Sequence, residues 1–484
     1  MAGIGFELKK LFSEKSLFYR GRAYAASTIV IAGPLLLCVL IITASQLFLR
    51  YIEAPFTERE LFLGAVQYSF IFSQLAAGGF VLLLARYLSD RIYSREENSI
   101  LSSLYGVMIT VLIAGGTVAM IFYSFSPLPL LFKFFAYMLF MQLMIIWIQT
   151  IYISALKEYK KIVYGFLTGV IVTILAIFTG YQFFDMTSAA GLLVTLNAGF
   201  FTILFMFFIE IKKRFPVNNE KYFEFLSYAM RYPVLILIGF LYTLGLFGHN
   251  FIVWMSSAGI TVAGTYRMAP LYDVPVFYAY LTILPAMIVF VVSLETAFYP
   301  HYQRFYKVVL GSSTLKEIRH AQDRMFGILS REITFVMEFQ LFFTISALVF
   351  GGKILPITRS QVDIFNIVTV GGYFFITMFI LMLVLLYFDD RKGAAAAMGS
   401  YTAGLLIVTP FTVAFDNFGL SCFIAGVIGL AVALLRLQHI SKTFGYYTFC
   451  SQPVMMKKHK EKVEGIVSRL NSLNGAGSDY ETKK

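Results

Sequence analysis

Long apolar runs separated by short charged turns set the rhythm of this chain. Runs of spanning length fall at about 24–49, 61–86, 100–123, 130–156, 161–183, 187–210, 231–256, 270–295, 333–351, 364–388, 394–414 and 418–438. At about 1.5 Å rise per residue, each covers much or all of the roughly 30 Å hydrocarbon layer of a bilayer. The pattern predicts an all-α membrane protein with twelve transmembrane helices in two six-helix lobes. The clearest run lies between Asp273 and Glu295, which enclose no other charge and are separated by an apolar and aromatic stretch broken by Pro275 and Pro285. On a continuous helix both carboxylates fall on one face, with Tyr280, Leu284, Met287 and Val291 between them. Pro285 removes a backbone donor midway and predicts a kink unless a neighbour re-satisfies the freed carbonyl. Two readings of the carboxylates stand: polar mouths of a pathway, or helix ends set in the headgroup layer.

The charged turns orient the chain. Lys and Arg number 39, and with the N-terminus inside all but Arg50, Arg59, Lys133, Arg267, Lys353 and Arg359 fall on cytoplasmic segments. This predicts cytoplasmic N- and C-termini. Residues 1–22 read as a cytoplasmic interfacial helix with Leu8, Leu11 and Phe12 on one side. Residues 23–210 then form the first lobe, 211–230 a cytoplasmic linker, and 231–440 the second lobe. Thr314 and Glu317 have capping-box spacing, followed by Leu315, Ile318, Met325, Ile328 and Leu329 as the apolar stripe of a short surface helix at 312–331. The basic tail, 441–484, carries Val463, Ile466, Val467 and Leu470 at helical spacing.

Composition changes little in this picture and closes several alternatives. Of 484 residues 58% are hydrophobic and 14% charged, with a mean hydropathy of +0.75, as a polytopic membrane protein requires. The net charge of +12 is carried by membrane loops, so it calls for no nucleic-acid partner. The opening residues lack the pattern of a cleavable signal peptide. Cys38, Cys422 and Cys450 suit neither a disulfide framework nor a metal knot. No G-x-x-x-x-G-K-[ST] loop is present for nucleotide hydrolysis. Asp389 and Asp390, followed at once by Arg391 and Lys392, read as a charged turn rather than a catalytic pair, and His301 and His320 lack metal-ligand spacing. The expectation is a non-enzyme with no cofactor.

What remains is polarity at membrane depth, where an unpartnered group is costly and therefore faces protein or a hydrated cavity. Candidates for a transport path are Gln67 and Gln74, Gln142 and Gln149, Asn197, Tyr242, His249, Asn250, Asp273, Tyr280 and Glu295, with Lys133 and Arg267 at an external mouth. Each pair of glutamines is seven residues apart and shares a helix face, as do Tyr242 and His249. Uncharged donors and acceptors of this kind suit sugar hydroxyls and amides; the alternative is that they tie helices together. Gly165 and Gly169 form a small-x-x-x-small packing face, and Gly33 with Pro34 marks a bend.

With these residues in place, MAGIGFELKKLF, RYLSDRIYSRE, GFLYTLGLFGHNFIVW and above all VPVFYAYLTILPAMIVFVVSLETAFYPHYQRFYKVV carry a resemblance to the PelG family. That family comprises the membrane transporters of Pel exopolysaccharide systems, a branch of the multidrug/oligosaccharidyl-lipid/polysaccharide flippase group. The resemblance extends over the spans and stops near residue 445. It implies a multi-pass exporter in the cytoplasmic (inner) membrane, moving an acetylgalactosamine-rich polysaccharide to the biofilm matrix. Its implied partners are a cytosolic glycosyltransferase that uses a nucleotide sugar, a membrane scaffold and a cyclic-di-GMP receptor, besides the polysaccharide and membrane lipid. Rival functions on the same fold are a cation-coupled antiporter, which wants a carboxylate deep among spans one to six, and a lipid-linked oligosaccharide flippase, which wants Arg or Lys inside its cavity. Spans one to six supply no Asp or Glu near mid-depth, and only Lys133 and Arg267 approach the second requirement. A non-transporting scaffold for polysaccharide synthesis is the third alternative.

Overall fold

The computed structural model describes residues 17–450 except Lys157 and Asp185, without the side chains of 17–27, 29–31, Tyr159, Glu295 and Tyr447. Most of the interfacial helix expected at 1–22, and the amphipathic helix expected in the tail, therefore lie outside the described residues. Among the described residues, 12 helices are long and apolar enough to cross a membrane. In chain order the helices are α1 (Leu17–Tyr51), α2 (Phe56–Tyr93), α3 (Ile100–Ser124), α4 (Leu130–Ala155), α5 (Tyr159–Phe184), α6 (Ala189–Arg214), the short α7 (Phe225–Arg231), α8 (Pro233–Trp254), α9 (Pro270–Leu281), α10 (Leu284–Ser293), α11 (Tyr299–Leu310), α12 (Leu315–Ile354), α13 (Arg359–Tyr387), α14 (Arg391–Ala414) and α15 (Leu420–Phe449).

Packing divides the chain into two units. Among the described residues, one comprises Pro34–Phe247 with Ile260–Met268, the N unit; the other comprises Gly248–Gly259 and 269–450 with 17–33, the C unit. By this division most of the seventh span, α8, packs with the first six. The reason is close approach between small residues: a Cβ on Gly239 would sit 2.3 Å from the Gly78 carbonyl oxygen, and one on Gly78 would sit 2.6 Å from Thr243. Only hydrogen at those positions lets α2 and α8 come together.

Within the N unit, α5 packs on α6 through the predicted glycine face, with Phe207 over Gly165 and Ile203 over Gly169. The segment expected as a linker at 211–230 is laid against this unit. Arg91 donates to Glu224 at 2.5 Å and also pairs with Glu96, with its guanidinium over the rings of Tyr87 and Tyr228. Ser102 meets the side chains of Asn218 and Asn219. A two-stranded hairpin, β1 (Ile260–Val262) and β2 (Tyr266–Met268), also belongs here. Its turn places Ala263 and Gly264 at positive φ, the backbone hand that matches a tight antiparallel hairpin. Three-residue strands carry no usable periodicity, so the hydropathy pattern gives no sign of this hairpin.

In the C unit α13 is the central helix: 72% of its spanning window is buried, consistent with a helix apolar on every side. Around it, the backbone of α15 lies against Gly371, and a Cβ on Gly426 of α15 would sit 2.8 Å from the Phe374 Cβ of α13. The acidic pair at the start of α14 is indeed structural. Asp389 pairs with Arg391, while Asp390 caps α14 by accepting from the Gly393 amide at 3.1 Å and takes a two-pronged contact from Arg436 at 2.6 and 2.9 Å.

Two expectations change in detail. The helix foreseen at 312–331 is no separate element. The capping box at Thr314 and Glu317 is present, but the helix it opens runs on as α12 for 40 residues, roughly 60 Å and about twice a bilayer's hydrocarbon thickness. Nothing between Arg331 and Ile333 stops it, since no glycine or proline interrupts that stretch. Conversely, the helix foreseen at 270–295 is interrupted. It ends at Leu281, resumes at Leu284 just before Pro285, and widens into a π turn at Leu294–Phe298. Gln340 of α12 donates its amide to the Thr282 carbonyl at 3.0 Å, so a neighbouring helix supplies one of the hydrogen bonds missing at the break.

Candidate functional site

The polar residues named from sequence in the C unit converge. Asn250 and Trp254 are one turn apart on α8, and both aim at Asp273 in the first turn of α9. Asn250 Nδ2 donates to Asp273 Oδ1 at 2.8 Å, and Trp254 Nε1 lies 2.9 Å from each carboxylate oxygen. The Ala269 amide donates to Oδ2 at 3.0 Å. Proline at the first helical position and a carboxylate in the first turn both suit a helix N-terminus, where the dipole favours negative charge. One residue short of the α9 C-terminus, Tyr280 places its hydroxyl 2.7 Å from His249 Nε2, and the Tyr272 hydroxyl lies 2.9 Å from Nδ1.

His249 is 0% exposed and both ring nitrogens are engaged. A neutral imidazole donates through one nitrogen and accepts through the other, so the two tyrosines take opposite roles, interchangeable by tautomer. The Tyr272 hydroxyl also lies 3.9 Å from Cys422 Sγ on α15. Histidine, asparagine, aspartate and two tyrosines thereby tie α8 to α9. Tyr272, Trp254 and Cys422 were not singled out from sequence. Tyr272 adjoins Asp273 and Trp254 follows Asn250 by one turn, but only the tertiary pairing of α8 with α9 brings them to His249 and Asp273.

Three buried amides of the N unit are less completely partnered. Gln149 of α4 is 0% exposed, and neither end of its amide meets a protein partner among the described residues. Gln142, also buried on α4, has an unpartnered Oε1. Buried Asn197 of α6 donates Nδ2 to the carbonyls of Phe135 and Leu193 at 3.0 and 2.7 Å, while its Oδ1 has no partner. Gln67 and Gln74 on α2 are half-buried, as is Tyr242 on α8. Tyr242 falls in the N unit and His249 in the C unit.

The two cations assigned to an external mouth are both half-buried beside the hairpin region of the N unit. Lys133 donates to the Ser126 carbonyl. Arg267 lies on β2, where its backbone N–H and carbonyl both engage the Tyr68 hydroxyl at 2.9 Å. Next to it, Tyr266 is buried and its hydroxyl meets that of Tyr123 at 3.0 Å; Gly64 leaves the room its ring occupies, a Cβ there lying 3.0 Å away. The side chain of Glu295 lies outside the described residues, so its proposed role beside Asp273 has no geometry here.

Comparison with known proteins adds the frame for this geometry. No curated protein matches the sequence. Among solved structures, a MATE transporter in a bent conformation superposes with a TM-score of 0.55 at 12% identity, covering 90% of this chain and 99% of its own. An outward-facing multidrug resistance MATE family transporter of the MOP superfamily gives 0.55 at 12%, with 86% and 96% covered. A MOP superfamily transporter from Pyrococcus furiosus gives 0.54 at 14%, with 87% and 96% covered. At such identity these establish the fold, that of MATE-like transporters. The model of the PelG family, described as "Putative exopolysaccharide Exporter (EPS-E)", matches residues 1–449. This multi-pass membrane protein belongs to the PelG exopolysaccharide exporter family.

Proposed function

We propose that the protein exports a Pel-like, acetylgalactosamine-rich polysaccharide across the cytoplasmic membrane, with both termini in the cytoplasm. In this reading it receives the chain from a cytosolic glycosyltransferase, beside scaffold and cyclic-di-GMP-receptor subunits, and itself carries out no bond chemistry. The observation that carries the reading is the family match over residues 1–449 on a MATE-like fold. The interior chemistry supports it. Among the described residues the buried carboxylate is Asp390, which is neutralised by Arg436, and Asp273 is spent on three protein donors. Neither suits a cation carrier as well as the amides of Gln142, Gln149 and Asn197 suit an uncharged, amide-bearing sugar.

Deletion of the chain, followed by assay of amino-sugar polymer outside and inside the cell, tests this. Loss of extracellular polymer with polymer retained in the cytosol, restored by the intact chain, is the expected outcome. Undiminished extracellular polymer would overturn it. Loss of both pools together would favour the scaffold alternative.

A further inference from the structure

At one end of the C unit, α11 and α12 form an antiparallel helical hairpin that carries a second, chemically different site. The base of the hairpin is anchored by aromatic packing. Phe305 of α11 and Phe326 of α12 each lie 5.3 Å from the ring of Phe444 on α15, and Phe388 lies 5.1 Å from the same ring. Phe305 and Met325 are fully buried there. The hairpin is thus a packed extension of the bundle rather than a free loop.

Its other side is open. His301 and Arg304 on α11, and Lys316, His320 and Arg324 on α12, line a cleft of about 430 Å³. Lys316, His320 and Arg324 recur every fourth residue and so form one stripe on α12. Val308 and Ala321 add the apolar part of the wall. Among the described residues no Phe, Tyr or Trp lines the cleft.

Charge in this cleft is not balanced from within. Among the described residues Arg304, Lys316 and Arg324 form no ion pair; the pairs made by this part of the chain stop at Arg331 with Glu332. Glu317 is the acidic residue in the wall, and its carboxylate is already spent on the Thr314 amide at 2.8 Å and the Thr314 hydroxyl at 3.1 Å. Those bonds hold its carboxyl below the usual range, so it stays ionised as a cap. Arg319 and Asp323 flank the stripe on neighbouring faces of α12 and are exposed. Cations held at helical spacing around one cleft repel one another, and an anion seated among them relieves that repulsion.

We propose that this cleft binds a phosphate-bearing ligand through its phosphoryl oxygens. Arg304 and Arg324 would supply the planar two-pronged donors, with Lys316 a point charge and His301 and His320 adding N–H donors. The volume lies in the range of small-ligand sites and suits a diphosphate group. Arg324 precedes Arg331, the last cation before the membrane-crossing part of α12, by about 10 Å of helix, and Lys316 by about 20 Å. That separation favours a soluble diphosphate over a lipid headgroup as its source. The inference does not depend on which polymer the protein carries.

The test uses the full-length protein in nanodiscs and needs no transport assay. Pyrophosphate and uridine diphosphate are titrated in nanodiscs of zwitterionic lipid, and a parallel arm measures retention of anionic phospholipid in mixed nanodiscs. The expected result is saturable, salt-sensitive diphosphate binding that weakens at least about tenfold in the Arg304→Gln, Lys316→Gln, Arg324→Gln triple variant, as loss of charge-assisted contacts predicts. A companion variant that keeps the charge but not the two-pronged geometry (Arg304→Lys, Lys316→Arg, Arg324→Lys) binds more weakly than the parent and more tightly than the neutral triple variant, and unchanged unfolding temperatures of both variants show that the hairpin still folds. Diphosphate silence with anionic-lipid retention lost in the triple variant would assign the same phosphate chemistry to a headgroup. Binding of neither, or binding indifferent to the triple variant, would overturn the proposal.

Discussion

The His249–Asp273 network of the C unit and the buried amides of Gln142, Gln149 and Asn197 in the N unit meet opposite fates, although the C unit too holds unpartnered buried oxygens, on Gln340, Asn366 and Thr369. In the C unit Asp273 receives Asn250, Trp254 and the Ala269 amide, and His249 is held at both nitrogens. In the N unit Gln149 is fully enclosed with neither end of its amide partnered by protein, and Gln142 and Asn197 are each left with an unpartnered oxygen. A satisfied buried network rigidifies the helices it joins, whereas an unsatisfied polar group is a standing cost that a competent partner would remove. The contrast assigns the His249–Asp273 network to holding α8 on α9, and makes the N-unit amides the better candidates for groups that change partners during function.

The largest test of this division is Asp273→Ala, which strands three donors at once. It should cost about 3 kcal/mol, read as a lowered unfolding temperature of the detergent-solubilised protein. A variant as stable as the parent would dissolve the idea of a structural lock. Next, His249→Leu removes the shared partner of Tyr272 and Tyr280 and should cost about 2 kcal/mol. Its export defect should follow protein level, and a defect at normal level would move His249 to the transport side of the comparison.

Gln149→Leu should behave in the reverse sense. No protein hydrogen bond is lost, so stability should be unchanged or higher by about 1 kcal/mol, while extracellular polymer falls. Export at the parental level with normal protein abundance would remove Gln149 from the path. The smallest effect concerns Glu317, an exposed cap on neither side of the comparison. Its carboxyl is held below the usual range by the Thr314 amide and hydroxyl. A lowered folded-state value means the cap's contribution is present above the ordinary carboxylate range and fades as pH falls through the folded value. Glu317→Gln should abolish that acid-side loss in a pH series of unfolding temperatures and leave the behaviour of Asp273→Ala untouched.

Much of the molecule could be read from the chain because a bilayer simplifies the code. Twelve apolar runs, the break before Pro285, the cap at Thr314 and Glu317, and the glycine face at Gly165 and Gly169 follow from local rules of length, missing donors and side-chain size. Other features had no local signal. The continuation of the helix opened by Thr314 into a 40-residue α12 is decided by the absence of a stop, which hydropathy windows do not weigh. Gln340 could not be recognised as the partner of the Thr282 carbonyl, since the two are 58 residues apart. His249 and Asp273 stand out along the chain as polar residues at membrane depth, but nothing local marks Tyr272 or Trp254.

From sequence alone came the membrane class, the number of spans, the kink and the inventory of groups too polar for lipid, because each depends on the run of neighbours along one helix. Tertiary structure alone decided which of those groups are satisfied and which are not, and that the small residues at Gly78 and Gly239 draw α8 to α2. Hydrogen bonds between helices and backbone contacts of this kind join residues far apart in the chain, and their energies are set by distances of a few tenths of an ångström that no periodicity encodes.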